Sequence, residues 1–364
     1  LHLSLRRQRQ MCIRDRFDLP FLWLRDNCQC DSCRIAETQE KQFLLHTVPA
    51  DISPDKVLHQ GENLIIEWPD DHNSIIPLNK ILECGAPRYP DHKFWPSSFT
   101  PNKYSWEDFL NDKKTALKAL KFFVSYGVII LKDAPKKPNS LELLSKRLGP
   151  IHETLFERIH NVSVTGHVYN VAHTSKGLPP HNDFASYKFQ PSVQALHMLE
   201  NECKGGESII VDGLQLLEEL REEHLDFFNI LKDFDVPFRE FDEKNETFAN
   251  EPIVRLNSQN KIIGFRFSNQ LMQMINPQMH DVDSFYLAYH ELCNRLNSEK
   301  YKSKFRLKSG HILLVSGHRV LHGRCEFAPN GRRHLQDAYY EMDNVENNLV
   351  LYKNQIGNQI DKKS

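Results

Sequence analysis

The stretch NVAHTSKGLPPHNDFASYKFQPSVQALHMLENECKGGESIIVDG (170–213) decides the fold class of this chain of 364 residues. Within it, VQALHML (193–199) and SIIV (208–211) are short apolar segments bounded by turn residues, as buried strands are. Similar segments follow at 262–267, 311–315 and 334–342. Two helical stretches, 214–231 and 281–296, interrupt the strands and do not alternate with them. This order predicts an antiparallel barrel or sandwich and not a doubly wound parallel sheet.

Upstream of this stretch, the sequence predicts two helices and one strand. Ser105 and Asp108 form a capping box for a long helix that ends at Gly127. The apolar VIIL (128–131) then predicts a short strand. Residues 140–148 predict a second helix, which a Gly-Pro pair stops.

The length of the chain predicts two domains, because single domains hold roughly 150 residues. Residues 17–97 have the pattern of short strands and turns, with LIIEW (64–68) alternating around a buried face. Residues 90–101 show no hydrophobic periodicity and are rich in Pro, Ser and aromatic side chains, which is typical of a linker. We therefore predict a small β domain over 17–97 and a larger domain over 98–364.

Charge and hydropathy argue against two classes of partner. The 46 Lys and Arg against 48 Asp and Glu give no strong field for nucleic acid or an anionic membrane. No apolar run approaches the roughly 20 residues that span a bilayer. We expect small-molecule partners and a cytoplasmic location. Residues 1–16 carry five Arg and no acid before Asp15; we interpret them as a non-native leader, while a transit peptide of the same composition keeps a mitochondrial location open.

The triplet HND places His181 and Asp183 at i and i+2, which on a strand point to one face. A third ligand would complete the two-histidine, one-carboxylate facial triad of iron(II) sites. His322, before Gly323 where backbone could approach a ligand, is the candidate, and we call these three residues the facial triad. The triplet alone is weak evidence in a chain with 18 His. Arg333, eleven residues after His322, could grip a carboxylate through a bidentate pair, or be a solvated loop residue.

These motifs carry a resemblance to a known family. Residues 170–213 and RVLHGRCEFAPNGRRHLQDAYYEMD (319–343) resemble the gamma-butyrobetaine and trimethyllysine dioxygenases, relatives of taurine dioxygenase, and the likeness extends from residue 17 onward. It implies a mainly β fold with flanking helices: a double-stranded β-helix (jelly-roll) oxygenase core after a small zinc-binding β domain. It also implies an Fe(II)- and 2-oxoglutarate-dependent dioxygenase that consumes O2, with ascorbate as a further candidate cofactor.

The resemblance implies roles for individual residues. It makes the facial triad the iron ligands and Arg333 the anchor of 2-oxoglutarate. It gives the hydroxyl of Ser208 a contact to the cosubstrate, with an ordinary strand hydroxyl as the alternative. Arg324 becomes a second cation for cosubstrate or substrate, with a structural salt bridge as the alternative.

The cluster WLRDNCQCDSC supplies Cys28, Cys30 and Cys33 at a C-x-C-x-x-C spacing that suits one tetrahedral zinc. A fourth ligand is required, and His72 fits, because the resembling family has a histidine after a tryptophan-bearing strand. His46 is the competitor. Four protein ligands leave no position for a reaction, so we interpret this zinc site as structural. Three free thiols on a reduced surface are the alternative.

The substrate pocket is where the resemblance is incomplete. Enzymes of the family grip a trimethylammonium group in an aromatic cage by cation–π attraction. The positions that correspond to its substrate contacts are Asn170, Asn269, Tyr339, Phe156, His160 and His173. Two cage rings become imidazoles, which hold a quaternary ammonium poorly. We predict that gamma-butyrobetaine is not the best substrate, unless a local misalignment moves His167 and Tyr169 into the cage.

Three functions follow in order of support. The first is hydroxylation of a small amine or betaine-like substrate, as in carnitine biosynthesis. The second is a taurine dioxygenase-like reaction on a sulfonate, phosphonate or carboxylate. The third is a non-catalytic, zinc-bearing interaction protein. The helical stretch 281–296 could pack against the partner in a homodimer or cover the barrel, which is the commoner use of such a helix.

Overall fold

The fold is described from a computed structural model. The described residues are 2–4, 16–85, 88–155, 157–163 and 174–361. The chain divides into two compact units, Leu1–Arg88 and Tyr89–Ser364. The second unit thus begins before residue 98, where the sequence suggested a boundary. Trp95 explains the difference, because it is buried in a core of the second unit and its indole N–H donates to the carbonyl of Tyr126 at 2.9 Å.

The first unit is built on a three-stranded antiparallel sheet. Its elements are β1 (His2–Ser4), β2 (Arg16–Asp18), α1 (Phe21–Asp26), β3 (Lys56–Gln60), β4 (Asn63–Glu67), β5 (Asn73–Pro77) and α2 (Leu78–Glu83). The sheet has the order β3-β4-β5. Along β4 burial alternates, with Leu64 and Ile66 fully buried against Leu24 and Trp68. This period of two is what the LIIEW pattern predicts.

The second unit contains two larger sheets, two hairpins and most of the helices. Its strands are β6 (Lys103–Ser105), β7 (Val128–Lys132), β8 (His160–Ser163), β9 (Leu178–His181), β10 (Val193–Asn201), β11 (Ser208–Asp212), β12 (Val236–Phe241), β13 (Glu246–Glu251), β14 (Val254–Leu256), β15 (Ile262–Phe265), β16 (Ser303–Phe305), β17 (His311–Ser316), β18 (Val320–Arg324) and β19 (Arg333–Tyr340). Its helices are α3 (Trp106–Asn111), α4 (Lys113–Tyr126), α5 (Ser145–Leu148), α6 (Gly213–Glu223), α7 (Leu225–Asp233), α8 (Val282–Asn297) and α9 (Met342–Asp361).

The two larger sheets have the strand exchange of a jelly roll. The major sheet has the order β6-β7-β17-β10-β19-β8, and the minor sheet the order β16-β11-β18-β9. From β8 to β11 and from β16 to β19 the chain passes between the two sheets, and neighbouring strands in them pair antiparallel. Only the edge pair β6 and β7 is parallel in these sheets. The prediction of a mainly antiparallel β fold with flanking helices is therefore confirmed.

The long helix predicted to end at Gly127 is two helices, α3 and α4. Asp112 between them is extended, and its carboxylate accepts from the backbone N–H of Thr115 at 2.8 Å, which caps α4. A short acidic side chain competes well for such N–H groups, so it favours a new helix start over a continued helix. Gly127 ends α4 with a φ of 77°, and a Cβ there would lie 2.9 Å from Arg319.

Other predicted segments differ in detail. The predicted helix 140–148 is a 3-10 turn, Ser140–Leu144, followed by α5. The stretch 214–231 forms α6 and α7, which break at His224. The predicted strand 334–342 ends at Tyr340, and α9, which the sequence analysis did not foresee, begins at Met342.

Three apolar cores hold the second unit together. One lies between the sheets and includes Leu313 and Ile210. A second packs α3, α4 and α9 on the major sheet. A third joins α6, α7 and α8, where Phe285 and Leu292 of α8 are buried within the unit. In the part of the chain that the structure describes, no helix combines the length and apolar character that crossing a bilayer requires.

Candidate active site

The facial triad converges where β9 and β18 pair. His322 lies directly opposite His181 in the register of these strands, and their ring centroids are 4.5 Å apart. His181 Nε2 is 3.1 Å from Asp183 Oδ1, and His322 Nε2 is 3.8 Å from Asp183 Oδ2. The ligand atoms of all three residues lie within 4.8 Å of one another. Two imidazoles and one carboxylate at this spacing match the donor set of an iron(II) facial triad.

Asp183 does not lie on a strand, contrary to the prediction. β9 ends at His181, and Asp183 lies in the following turn, where Phe184 has a φ of 53°. Two buried side chains hold this turn, one within it and one from the segment after β15. Asn182 pairs with the backbone of Phe267, and Arg266 donates to the carbonyls of the turn, which include that of Lys188. These contacts aim the carboxylate at the histidines without a continued strand.

Gly323 also has a role that was not expected. A Cβ at this position would lie 2.5 Å from the carbonyl oxygen of Leu178. A close approach therefore exists between β18 and the backbone of β9, in addition to the position of Gly323 in the lining of the cavity described below. It allows the two strands that carry the histidines to pair tightly.

The electrostatics of the triad suit a bound cation. Burial lowers the pKa of His322 to about 4, which leaves a neutral imidazole with a free lone pair. Burial alone would raise the pKa of Asp183, but the interactions of its carboxylate with His322 and His181 outweigh burial and hold this pKa below its ordinary value. For His181, burial acts to lower the pKa, and the hydrogen bond with Asp183 raises it. A metal ion would take the place of the proton that these two residues share.

A cavity of about 100 Å³ joins the triad to a cationic wall. Its lining includes His181, Asp183, Gln194, Ser208, His322, Arg324, Arg333 and Asp337, together with several leucines. Ser208 begins β11 and lies opposite Arg324 of β18. The structure thus brings the three residues predicted to contact the cosubstrate into one cavity with the triad.

Arg333 is a half-buried cation whose Nε lacks a partner among the described residues. Its Nε has no hydrogen-bond partner, and no ion pair of its guanidinium is found among the described residues. The group lies 5.2 Å from the ring centroid of Phe327. Burial, reinforced by nearby Arg324, lowers its pKa to about 10, so it stays charged at neutral pH. A buried N–H of a cation without an acceptor is costly, and a carboxylate could satisfy it through a bidentate pair with the guanidinium.

Arg324 is partly committed to the backbone. It donates to the carbonyls of Thr174 at 2.7 Å and Lys176 at 2.8 Å, and lies over the ring of Phe327 at 4.8 Å. These bonds tie down the segment that leads into β9. Its positive charge still faces the cavity beside Arg333.

Of the residues predicted to contact the substrate, some lie beside the triad, one lies away from the cavity, and the others lie outside the described residues. Tyr339 is buried, and its hydroxyl lies 2.6 Å from Asp183 Oδ2. His160 packs edge-on against Tyr339, with ring centroids 5.5 Å apart. Asn269 is exposed, accepts from the hydroxyl of Tyr289 at 3.0 Å and does not line the cavity. Phe156, His167, Tyr169, Asn170 and His173 lie outside the described residues.

A polar network that was not predicted from the sequence lies behind Asp183. Gln194 Nε2 donates to Asp183 Oδ2 at 2.5 Å and to Asp337 Oδ2 at 2.9 Å. Both residues are polar positions within largely apolar strands. Gln194 lies on the same face of β10 as Leu196, and Asp337 on the same face of β19 as Arg333, and all four residues line the cavity. This alternation along each strand could have predicted their place in the site.

The first unit holds a second cluster of ligand-type side chains. His72 Nε2 lies 3.3, 3.7 and 3.6 Å from the sulfurs of Cys28, Cys30 and Cys33. Zinc bonds of ordinary length at tetrahedral angles put such atoms about 3.6 Å apart. Arg25 donates to the sulfur of Cys33 at 3.5 Å, which would help to neutralise thiolates. His46 is exposed on a 3-10 turn and does not belong to this cluster in the described chain.

Comparisons with known proteins agree with this geometry. Residues 93–339 match the taurine catabolism dioxygenase TauD, TfdA family. The chain belongs to this family. Residues 9–77 match a second family, described as gamma-butyrobetaine hydroxylase-like, N-terminal. The dioxygenase family match spans more than half of the chain and includes the facial triad and Arg333.

Individual relatives are of similar length. A gamma-butyrobetaine dioxygenase of Pseudomonas sp. (strain AK-1) is 29% identical over 342 residues, covering 91% of this chain and 89% of the relative. A mitochondrial trimethyllysine dioxygenase of Rattus norvegicus is 27% identical over 350 residues, covering 91% and 82%. A non-heme iron oxygenase solved with iron and alpha-ketoglutaric acid has a TM-score of 0.50 at 14% identity, covering 66% of this chain and 94% of that one. The chain is a dioxygenase that uses iron and 2-oxoglutarate.

Proposed function

We propose that His181, Asp183 and His322 ligate the iron, and that Arg333 binds the distal carboxylate of 2-oxoglutarate. The observation that carries this assignment is the half-buried guanidinium of Arg333 on the wall of the cavity that contains the triad, whose Nε has no hydrogen-bond partner among the described residues. Iron with 2-oxoglutarate supplies the activation of O2 that hydroxylation of a substrate requires. Iron-dependent formation of succinate by the purified chain tests the proposal, and its absence from folded protein would contradict it.

The residues around the triad determine how the carboxylate ligand is presented. Gln194 and Tyr339 both contact Oδ2 of Asp183, whereas Oδ1 faces His181. Asp183 would therefore bind metal through Oδ1 and leave positions free for the cosubstrate. Leu196 and Leu313 line the cavity with apolar surface that helps to exclude water.

Arg333→Ala is expected to raise the KM for 2-oxoglutarate about 100-fold, because it removes a charged, bidentate hydrogen-bond pair. The measurement is succinate formation at increasing 2-oxoglutarate concentration. Arg332→Ala is the matched control, since Arg332 is exposed and pairs with Glu202 at 2.9 Å. An equal rise of KM in both variants would show that Arg333 does not anchor the cosubstrate.

We propose a small amine or betaine-like compound as the class of primary substrate, which is the class that the relatives' names imply. Gamma-butyrobetaine itself is expected to be a poor substrate, because His160 lies against Tyr339 at a position where the family has an aromatic ring. We expect its kcat/KM to rise at least about tenfold in a His160→Tyr variant. Efficient turnover of gamma-butyrobetaine by the wild-type chain would contradict this prediction.

We further propose that the first unit is a zinc-binding domain and the second the dioxygenase domain. One zinc per chain is expected to remain after iron is removed with a mild chelator, and Cys28→Ser should lose it. Cys84→Ser is the control, because Cys84 is exposed and lies outside the cluster. Metal analysis and thermal unfolding report the result. Full zinc content in Cys28→Ser would refute the assignment.

A further inference from the structure

Asp337 is a buried carboxylate that is only half satisfied. Its exposed fraction is 5%, and it lines the cavity from β19. Its Oδ2 accepts from Gln194 at 2.9 Å and from the hydroxyl of Tyr339 at 2.8 Å. Its Oδ1 is buried and has no hydrogen-bond partner in the described chain. Buried polar atoms are almost always paired, so the site lacks a donor.

The position of Asp337 separates it from the cosubstrate anchor. Asp337 and Arg333 share one face of β19, four residues and roughly 13 Å apart along the strand. Asp337 lies opposite His160 of β8, and Gln194 connects it to Asp183. The cavity wall therefore has a cationic part around Arg333 and an anionic part beside the triad.

We propose that Asp337 binds a substrate nitrogen that carries both a positive charge and N–H bonds, such as a primary or secondary ammonium or a guanidinium. This inference rests on the proposed function and specifies its substrate class. A quaternary ammonium would leave Oδ1 unsatisfied, because it has no N–H to donate. An N–H cation satisfies Oδ1 with a charge-assisted hydrogen bond.

The test compares amines that differ only in N-methylation. Protein loaded with iron(II) and 2-oxoglutarate under anaerobic conditions is titrated, up to millimolar concentrations, with 4-aminobutyrate against gamma-butyrobetaine and with lysine against N6-trimethyllysine. The shift of the visible band of the iron chelate gives each Kd. We expect at least one N–H amine to bind about tenfold more tightly than its trimethylated analogue. Asp337→Asn should bring that ratio close to one, whereas Asp226→Asn, the same change on the exposed side of α7, should not.

The outcomes separate this inference from the proposed function. No band in the unliganded wild-type protein would contradict the iron and 2-oxoglutarate site itself. With the band present, the inference about Asp337 is overturned if no N–H amine shifts it, or if the trimethylated analogues bind as tightly. It is also overturned if Asp337→Asn leaves the ratio unchanged, since Asp337 would then only position Asp183 through Gln194.

Discussion

Replacement of His322 by Ala is expected to reduce succinate formation by more than about a thousandfold, because loss of a direct ligand exceeds the 10- to 100-fold effect of removing an outer hydrogen bond. His322 lies opposite His181, and no other histidine belongs to this cluster in the described residues. The measurement is succinate formation with saturating iron and 2-oxoglutarate. His280→Ala, whose side chain is 92% exposed, is the matched control.

Two results would contradict this prediction. Substantial activity in His322→Ala would show that the metal is held by other residues. Equal loss of activity in His280→Ala would show that the assay reports general damage to the protein. Circular dichroism of each variant excludes unfolding as the cause.

Replacement of Arg319 by Met is expected to lower the free energy of unfolding of the second unit by about 3–5 kcal/mol. The side chains of Arg319 and Asp212 are 3% and 2% exposed and form a bidentate pair at 2.8 and 3.0 Å. Arg319 also donates to the carbonyls of Ser125 and Lys93, both at 2.7 Å. Without it, Asp212 is a buried charge with no counter-ion.

Urea unfolding followed by tryptophan fluorescence measures this effect. The double variant Arg319→Met, Asp212→Leu should recover a large part of the lost stability, because it buries no unpaired carboxylate. Arg239→Met, which breaks the exposed pair with Glu246, should change stability far less. Similar losses in the buried and the exposed pair would refute the account.

The sequence alone predicted which side chains would come together at the candidate site, and the structure shows why this was possible. His181 and Asp183 are two residues apart in the chain, so an extended segment or a turn brings both side chains within reach of one metal. His322 and Arg333 lie in apolar strands, where burying a polar group without a partner costs free energy, so their presence there indicates a functional role. These features are local, and a single sequence displays them.

Other features depend on distant contacts that local patterns do not report. The turn at Asp183 is held by contacts with Arg266 and the backbone of Phe267, which are about 80 residues away in the chain. At Asp112 the chain either continues the first helix or ends it and caps a second one. A cap contributes only about 1 kcal/mol, so local sequence does not decide between these two states. Alternation along the strand could have placed Asp337 on the cavity face, but the lack of a donor for its Oδ1 becomes visible only in the structure.

The most direct test of the central claim is anaerobic addition of iron(II) and 2-oxoglutarate to metal-stripped protein, followed by visible absorption. We expect a charge-transfer band in the wild-type chain, which His181→Ala abolishes and Arg333→Ala weakens at limiting 2-oxoglutarate. Absence of the band from folded wild-type protein, or a band that survives in His181→Ala, would contradict the site described for this dioxygenase.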